Sequence, residues 1–136
     1  MMHYLLDACA FIAVFNGEPC ARRVLDLIGE AEIGSVRLFM SIVQLLEVYY
    51  DRIYIADEKS ARSRVNSILA APITIIETIS YEVMYEAGRF KTSYSMSLAD
   101  SIACATAKNL AATLVTKDGE MKAPEEAGEF PVLWLK

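Results

Sequence analysis

The sequence predicts an α/β fold in which helices cover both faces of a parallel sheet. Two patterns indicate this class: segments typical of strands alternate with segments typical of helices, and each strand is a short, continuous apolar run. Length and composition agree, because 136 residues, 54% of them hydrophobic, suffice for one domain with a substantial core. We therefore expect residues 1–136 to form a single domain, a three-layer α/β/α sandwich around about five parallel strands.

The predicted strands are rich in apolar and β-branched residues. They are Met2–Leu6, Val36–Met40, Pro72–Ile76, Thr113–Thr116 and Val132–Leu135. The predicted helices lie between them, at Ala8–Phe15, Glu18–Ala31, from Ser41 past Ile53, from Asp57 to about Ala70, Ser80–Tyr94, Ser97–Ala111 and Glu120–Ala127.

Local signals place several of the helix ends. Asn16-Gly17 is typical of the end of a helix, and Asp57 is a good N-cap for the fourth one. Ser41 is expected to cap the third helix, with Gln44 as its partner in a capping box. That helix also carries an apolar stripe at helical spacing, formed by Ile42, Leu45, Leu46, Tyr49 and Ile53.

Composition excludes several classes of protein. No uncharged run approaches the roughly 18 residues that span a bilayer, so we expect no membrane association. The single histidine, His3, disfavours Ser-His-Asp, Cys-His and zinc chemistry. Three cysteines without a CxxC pair, in a chain without a secretion signal, predict free thiols in the cytoplasm. The net charge of −5 argues at first against nucleic acid as a partner.

Two carboxylates follow predicted strands directly. Asp7 comes after the first strand and Asp118 after the fourth, where an open parallel sheet places its ligand site. Each also has a purely structural interpretation, since Asp7 is a good helix N-cap and Asp118-Gly119 is a good turn.

Asp100 and Glu47 lie on predicted helices. Asp100 shares its helix face with small apolar residues and with no lysine or arginine, and a buried carboxylate needs a partner. A cation is the simplest partner, although Asp100 also fits a capping box with Ser97. Glu47 lies at the edge of the apolar stripe, four residues before Asp51, and both also fit a solvated helix face.

Four segments carry these acids in order, and together they resemble the PIN-domain ribonucleases, particularly the VapC-type toxins. The segments are His3-Tyr-Leu-Leu-Asp7, Ser41-Ile-Val-Gln-Leu-Leu-Glu47, Ser97-Leu-Ala-Asp-Ser-Ile-Ala-Cys-Ala-Thr-Ala107 and Leu114-Val-Thr-Lys-Asp118. The third is the most specific, with the form S-L-x-D-x-x-x-A-x-A, and the resemblance covers nearly the whole chain.

The resemblance implies a metal-dependent endoribonuclease of the PIN-like fold. It implies that Asp7, Glu47, Asp100 and Asp118 converge on Mg²⁺ or Mn²⁺, Glu47 directly or through water, and that the metal activates a water to hydrolyse RNA. It also implies a homodimer and a small antitoxin protein that blocks the site. Glu120 corresponds to a position that is acidic in only some members, and Thr116 is retained as a supporting hydroxyl.

One departure and one further requirement qualify this resemblance. Members often carry a hydroxyl or Asn at the two positions after the first Asp, whereas this chain has Ala8 and Cys9. RNA also needs a positive surface, for which the candidates are Arg52, Arg62, Arg64 and Lys91. Ordinary solvated, ion-paired faces are the alternative for these residues.

Other functions remain open on the sequence alone. The chain also fits a PIN-like module that binds RNA or protein without cutting, or a PIN nuclease of RNA processing outside a toxin–antitoxin pair. A haloacid-dehalogenase-like phosphatase fits less well, because Cys9 stands where that pattern requires a second Asp.

Overall fold

A computed structural model describes all residues, 1–136, and shows a five-stranded parallel sheet. The strands are β1 (Met2–Leu6), β2 (Val36–Ser41), β3 (Ile73–Ile76), β4 (Thr113–Thr116) and β5 (Val132–Trp134), in the order β3-β2-β1-β4-β5. Every neighbouring pair is parallel. The order of strands changes direction at β1, which pairs with β2 on one side and with β4 on the other.

Seven α-helices surround the sheet. They are α1 (Ala8–Phe15), α2 (Ala21–Glu32), α3 (Ile42–Ile55), α4 (Glu58–Leu69), α5 (Tyr81–Ser93), α6 (Leu98–Leu110) and α7 (Lys122–Glu126). A 3-10 turn, Gly119–Met121, precedes α7. None of the helices is long and apolar enough to cross a membrane.

Strand alternation divides the core into two halves, one on each face of the sheet. Leu5 of β1 packs with residues of α5 and α6, whereas the next residue, Leu6, packs with residues of α1 and α2. Leu114 and Val115 of β4 separate in the same way. The predicted three-layer sandwich is therefore confirmed, because continuous apolar strands bury both faces of the sheet.

Two predicted helices begin later than the sequence indicated. The helix expected from Glu18 begins at Ala21, because Gly17 adopts a left-handed φ of 65° and the Glu18 amide donates to the Ala13 carbonyl of the preceding helix. The helix expected from Glu120 begins at Lys122, after the 3-10 turn. Pro124 has no N–H to bond the carbonyl four residues earlier, which is that of Glu120.

Candidate metal centre

Asp7 is buried at the carboxyl end of β1, with an exposed fraction of 5%. Its Oδ1 accepts a hydrogen bond from the Ala8 amide at 2.8 Å, so it does cap α1. Its Oδ2 accepts from the hydroxyl of Thr116 at 2.7 Å. Burial raises the pKa of Asp7 and the charge of Asp118 adds to the rise, while these two hydrogen bonds oppose it. The capping role therefore coexists with a second, inward-facing contact.

Thr116 connects the two strand-end carboxylates. It is fully buried at the end of β4, and its hydroxyl oxygen accepts from the amide of Asp118 at 3.0 Å while donating to Asp7. Asp118 in turn accepts from the amide of Glu120 at 2.9 Å, where the 3-10 turn begins. The turn interpretation of Asp118 is thus correct, and the same turn holds its carboxylate beside Asp7.

Asp100 approaches from α6, in the first turn of that helix. The hydroxyl of Ser97 accepts from the Asp100 amide at 3.1 Å, so Ser97 caps the helix. Asp100 is 6% exposed, and the fully buried small residues Ala103, Cys104 and Ala107 continue its helix face. Burial raises the pKa of Asp100, helped by a hydrogen bond shared with Glu120 and by the charge of Asp118.

These three acids converge. One carboxylate oxygen from each of Asp7, Asp100 and Asp118 lies within 4.8 Å of the other two. None of them forms an ion pair with a lysine or arginine, since every ion pair in the protein involves another carboxylate. The fold therefore brings three negative groups together without a positive one.

Glu47 lies just outside this group of three. It is half-buried on α3, and its Oε1 is buried without a hydrogen-bond partner. Burial, followed by the charges of Asp7 and Asp118, raises the pKa of Glu47 to about 7. The charges of the cluster therefore act on Glu47, although Glu47 is not among the three acids in closest contact.

Glu120 lies at the rim of the acidic cluster. It is exposed, and its Oε2 accepts from the amide of Ser97 at 3.3 Å. A hydrogen bond shared with Asp100 lowers the pKa of Glu120. The structure therefore connects Glu120 to the cluster through Asp100 and to the start of α6 through Ser97.

The donor set suits a hard divalent cation. All the converging atoms are carboxylate oxygens, which Mg²⁺ and Mn²⁺ prefer over the nitrogen and sulfur ligands of zinc sites. The carboxylates lack a compensating positive charge: the Oε1 of Glu47 is buried without a partner, and burial and mutual repulsion raise the pKa values of Asp7, Glu47 and Asp100. The residues present therefore fit a Mg²⁺ or Mn²⁺ ion.

Cys9 supplies a polar contact at one of the two positions where the sequence departs from the family pattern. Its Sγ lies 3.8 Å from Asp7 Oδ2 and 3.6 Å from the Thr116 hydroxyl, and it accepts from the Lys117 amide at 3.4 Å. Burial and the charge of Asp7 raise the pKa of the Cys9 thiol to about 12, so it stays protonated and can donate. A thiol thus occupies the place of the usual hydroxyl or amide.

Three of the four basic candidates lie on α3 and α4, and the fourth, Lys91, lies on α5. Arg62 pairs with Glu58 at 2.8 Å, Arg52 donates to Ser60, and Arg64 lies 4.9 Å over the ring of Phe15. Lys91, on α5, donates to the Met96 carbonyl at 2.7 Å, and its charge helps to lower the pKa of Glu120. Among the four, Lys91 is the one with an electrostatic link to the acidic cluster.

The apolar stripe of α3 mostly faces outward. Leu45 is buried, but Ile42, Leu46 and Ile53 are 42%, 54% and 38% exposed. Ile42, Leu45 and Leu46, together with residues of α4, line a groove of about 420 Å³. A second groove of about 430 Å³, lined by residues such as Ile79, Met84 and Leu98, lies between α5 and α6. Spacing alone predicted the stripe, but it did not reveal that the stripe is exposed.

Gln44 is a residue whose role the sequence analysis missed. The predicted capping box is wrong, because the Ser41 hydroxyl accepts from the Val43 amide while Gln44 donates to the carbonyl of Ala99 on α6. Gln44 is fully buried. The available signal was a lone amide inside the apolar run Ile-Val-Gln-Leu-Leu.

Comparisons with known proteins identify a family and a fold. The family model for the PIN domain matches residues 4–126. Among curated proteins, none is similar enough in sequence to count as a match.

Solved structures with the same fold include three toxin–antitoxin proteins. VapBC2 from Rickettsia felis, bound to a promoter DNA fragment, has a TM-score of 0.77 and 18% identity over 99% of this chain and 100% of its own. DNA-bound VapBC from Salmonella typhimurium has a TM-score of 0.74 and 13% identity over 100% of both chains. VapC20 from Mycobacterium tuberculosis, a toxin that cleaves the sarcin-ricin loop, has a TM-score of 0.66 and 15% identity over 88% of this chain and 93% of its own.

Proposed function

Because the chain belongs to the PIN domain family, we propose that it is a metal-dependent endoribonuclease, the toxin of a VapBC-type toxin–antitoxin pair. The observation that carries the nuclease proposal is the convergence of Asp7, Asp100 and Asp118 within 4.8 Å without a basic partner. The sandwich shared with toxins of such pairs supports the biological role.

In this proposal, Asp7, Asp100 and Asp118 hold Mg²⁺ or Mn²⁺, and Glu47 contributes directly or through a water molecule. When bound, the cation supplies positive charge that neutralises a phosphodiester and acidifies water. Thr116 keeps the Asp7 carboxylate oriented by donating to its Oδ2, and Glu120 holds the start of α6 through Ser97. Hydrolysis breaks the bond between phosphorus and the 3′ oxygen, leaving 5′-phosphate and 3′-hydroxyl ends.

The acidic composition is compatible with an RNA substrate under this proposal. With the four proposed ligands set apart from the net charge of −5, the rest of the chain carries −1. Bound divalent ions would offset much of the charge of the cluster. RNA binding then depends on local positive groups, of which Lys91 has the observed link to the cluster and Arg52, Arg62 and Arg64 lie on α3 and α4.

Conservative neutralisation tests the proposed ligands. Asp7→Asn and Asp100→Asn should each reduce RNA cleavage by about 10³-fold, since loss of metal binding removes several kcal/mol of transition-state stabilisation. Asp26→Asn, the same change at an exposed position of α2, should leave cleavage unchanged. EDTA should abolish wild-type cleavage and excess Mg²⁺ should restore it. Full, EDTA-sensitive cleavage by Asp100→Asn would contradict the assignment.

An exposed apolar face supports the antitoxin partner. Besides the groove residues, Tyr50 and Tyr54 are 42% and 86% exposed, with their rings 6.0 Å apart. Neighbouring exposed apolar side chains are typical of a protein-binding site. We propose that the α3–α4 face binds the antitoxin and that the α5–α6 face binds a second copy of the chain in a homodimer.

Each face has its own test. Leu46→Asp should prevent a small protein encoded beside this gene from relieving growth arrest, without changing the sedimentation of the purified chain. Leu98→Asp should convert a dimer to a monomer in analytical ultracentrifugation. Absence of any neighbouring antitoxin gene, with RNA cleavage intact, would favour a nuclease of RNA processing. Absence of cleavage, with RNA or protein binding intact, would favour a binding module.

A further inference from the structure

Gln44, on α3, connects the two helices that carry Glu47 and Asp100. Its Nε2 donates to the carbonyl oxygen of Ala99 at 2.9 Å, and this is the only hydrogen bond between α3 and α6. Ala99 is adjacent to Asp100 in sequence, and Gln44 precedes Glu47 by three residues, which places both side chains on one helix face. One hydrogen bond therefore ties together the two helices that carry these acids, which come from distant parts of the chain.

The buried side-chain amide of Gln44 does not favour the stability of the fold. Gln44 is fully buried, and its Oε1 has no hydrogen-bond donor. An unsatisfied buried acceptor costs at least as much free energy as a neutral hydrogen bond contributes. A side chain of similar volume without polar atoms would fill the same space without that cost.

The helix ends do not need Gln44 either. Ser41 caps α3 by accepting from the Val43 amide, and Ser97 caps α6 by accepting from the Asp100 amide. The Ala99 carbonyl belongs to the first turn of α6, where the next turn of the helix already offers it a backbone donor. The Gln44 bond is thus an addition whose one evident effect is to tie α6 to α3.

We propose that Gln44 is a positioning residue, which holds the first turn of α6 against α3 so that Asp100 and Glu47 are correctly spaced for a divalent cation. The inference rests on the proposed function, because it assumes that the carboxylates bind a metal. Gln44 itself does not touch the metal or the RNA. Its removal should therefore weaken metal binding without removing a ligand.

Gln44→Met tests this directly, because methionine keeps the length and volume of the side chain and removes both polar atoms. We expect the affinity for Mn²⁺, measured by electron paramagnetic resonance of the free ion, to fall about tenfold, as for other residues that orient metal ligands. The free energy of unfolding in EDTA should stay unchanged or rise, because the unsatisfied acceptor is gone. Saturating Mg²⁺ should restore the maximal rate of RNA cleavage, at a higher metal concentration than the wild type needs.

Leu38→Met is the matched control, since it introduces the same side chain into a buried position of β2 away from the site. It should leave Mn²⁺ affinity unchanged. If Gln44→Met fails to fold, Gln44→Asn keeps the amide but is one methylene too short to reach Ala99, and the same loss of affinity is expected.

The outcomes separate this inference from the proposed function. A wild-type protein that binds no Mn²⁺ would overturn both. Normal Mn²⁺ affinity in a folded Gln44 variant, beside a wild type that binds, would overturn the positioning role alone. A fall in affinity matched by a fall in stability in EDTA, or a rate of cleavage that excess Mg²⁺ does not restore, would also overturn it, since either indicates general structural damage.

Discussion

Two groups of carboxylates lie at opposite ends of α6, and the protein compensates their charge in opposite ways. At the last turn, Glu129 accepts hydrogen bonds from Arg89 at 2.7 and 3.0 Å, from Lys108 at 2.7 Å and from the Tyr94 hydroxyl at 2.9 Å. These donors, Arg89 above all, lower the pKa of Glu129 to about 2. At the first turn, Asp100 meets only other acids, and its pKa is raised.

The difference teaches how to separate a structural acid from a functional one. The side chain of Glu129 is 11% exposed and fully paired, so its charge holds α5, α6 and the chain before β5 together. Asp7 and Asp100 are buried more deeply than Glu129, yet neither forms an ion pair with a basic residue. The fold pairs the carboxylate of Glu129 with three donors and leaves Asp7 and Asp100 without a basic partner, as expected if the unpaired acids bind a cation.

The largest expected effect on stability comes from the paired acid. Glu129→Gln should lower the free energy of unfolding by about 2 kcal/mol at pH 7, because it leaves Arg89 and Lys108 without their shared partner. Glu126→Gln, an exposed glutamate without an ion pair, is the matched control and should change it by less than about 0.5 kcal/mol. Urea denaturation measures both. Equal, small effects of the two substitutions would remove the distinction between the paired Glu129 and the unpaired acids.

The unpaired acid should respond in the opposite direction. In EDTA, Asp100→Asn should raise the free energy of unfolding by about 1 kcal/mol, since it removes the cost of burying an ionisable carboxyl group and its repulsion from Asp118. An asparagine amide can still donate to Glu120. Added Mg²⁺ should then stabilise the wild type and leave the variant unchanged. Destabilisation of Asp100→Asn in EDTA, comparable to that of Glu129→Gln, would contradict the comparison.

The last comparison concerns the pH dependence of stability. The pKa of Glu129 falls from its usual 4.5 to about 2 on folding, so its contribution is complete above pH 4.5 and is lost as the pH falls through 2. The pKa of Glu47 rises from 4.5 to about 7. The folded state therefore keeps a proton that the unfolded state has released, and stability in EDTA should fall as the pH rises from 4.5 to 7.

Unfolding by urea at pH 5 and pH 8 checks this dependence. Glu47→Gln should make the metal-free protein lose less stability between the two pH values than the wild type loses. Glu126→Gln should follow the wild type. If the stability of the wild type in EDTA rises from pH 5 to pH 8, and Glu47→Gln does not change this, the pKa of Glu47 is not raised on folding.

Elements with strong local signals were predicted well from the sequence. The bounds of β1, α1 and β4 match the prediction, because continuous apolar runs and caps such as Asp7 act within a few neighbouring residues. The predicted capping box failed because Gln44 found a partner 55 residues away. The α3 stripe was recognised as apolar, but periodicity gives the direction of a face and not what covers it.

The sequence by itself determined the alternation of strands and helices, the two carboxylates that follow strands, and an Asp100 face without basic residues. Only the tertiary structure decided that β4 pairs beside β1, which brings the hydroxyl of Thr116 to Asp7 across 109 positions of the chain. It also decided that Glu129 is paired while Asp7, Asp100 and Asp118 are not. Caps and periodicity depend on neighbours in sequence, whereas charge compensation depends on which elements the sheet order brings into contact.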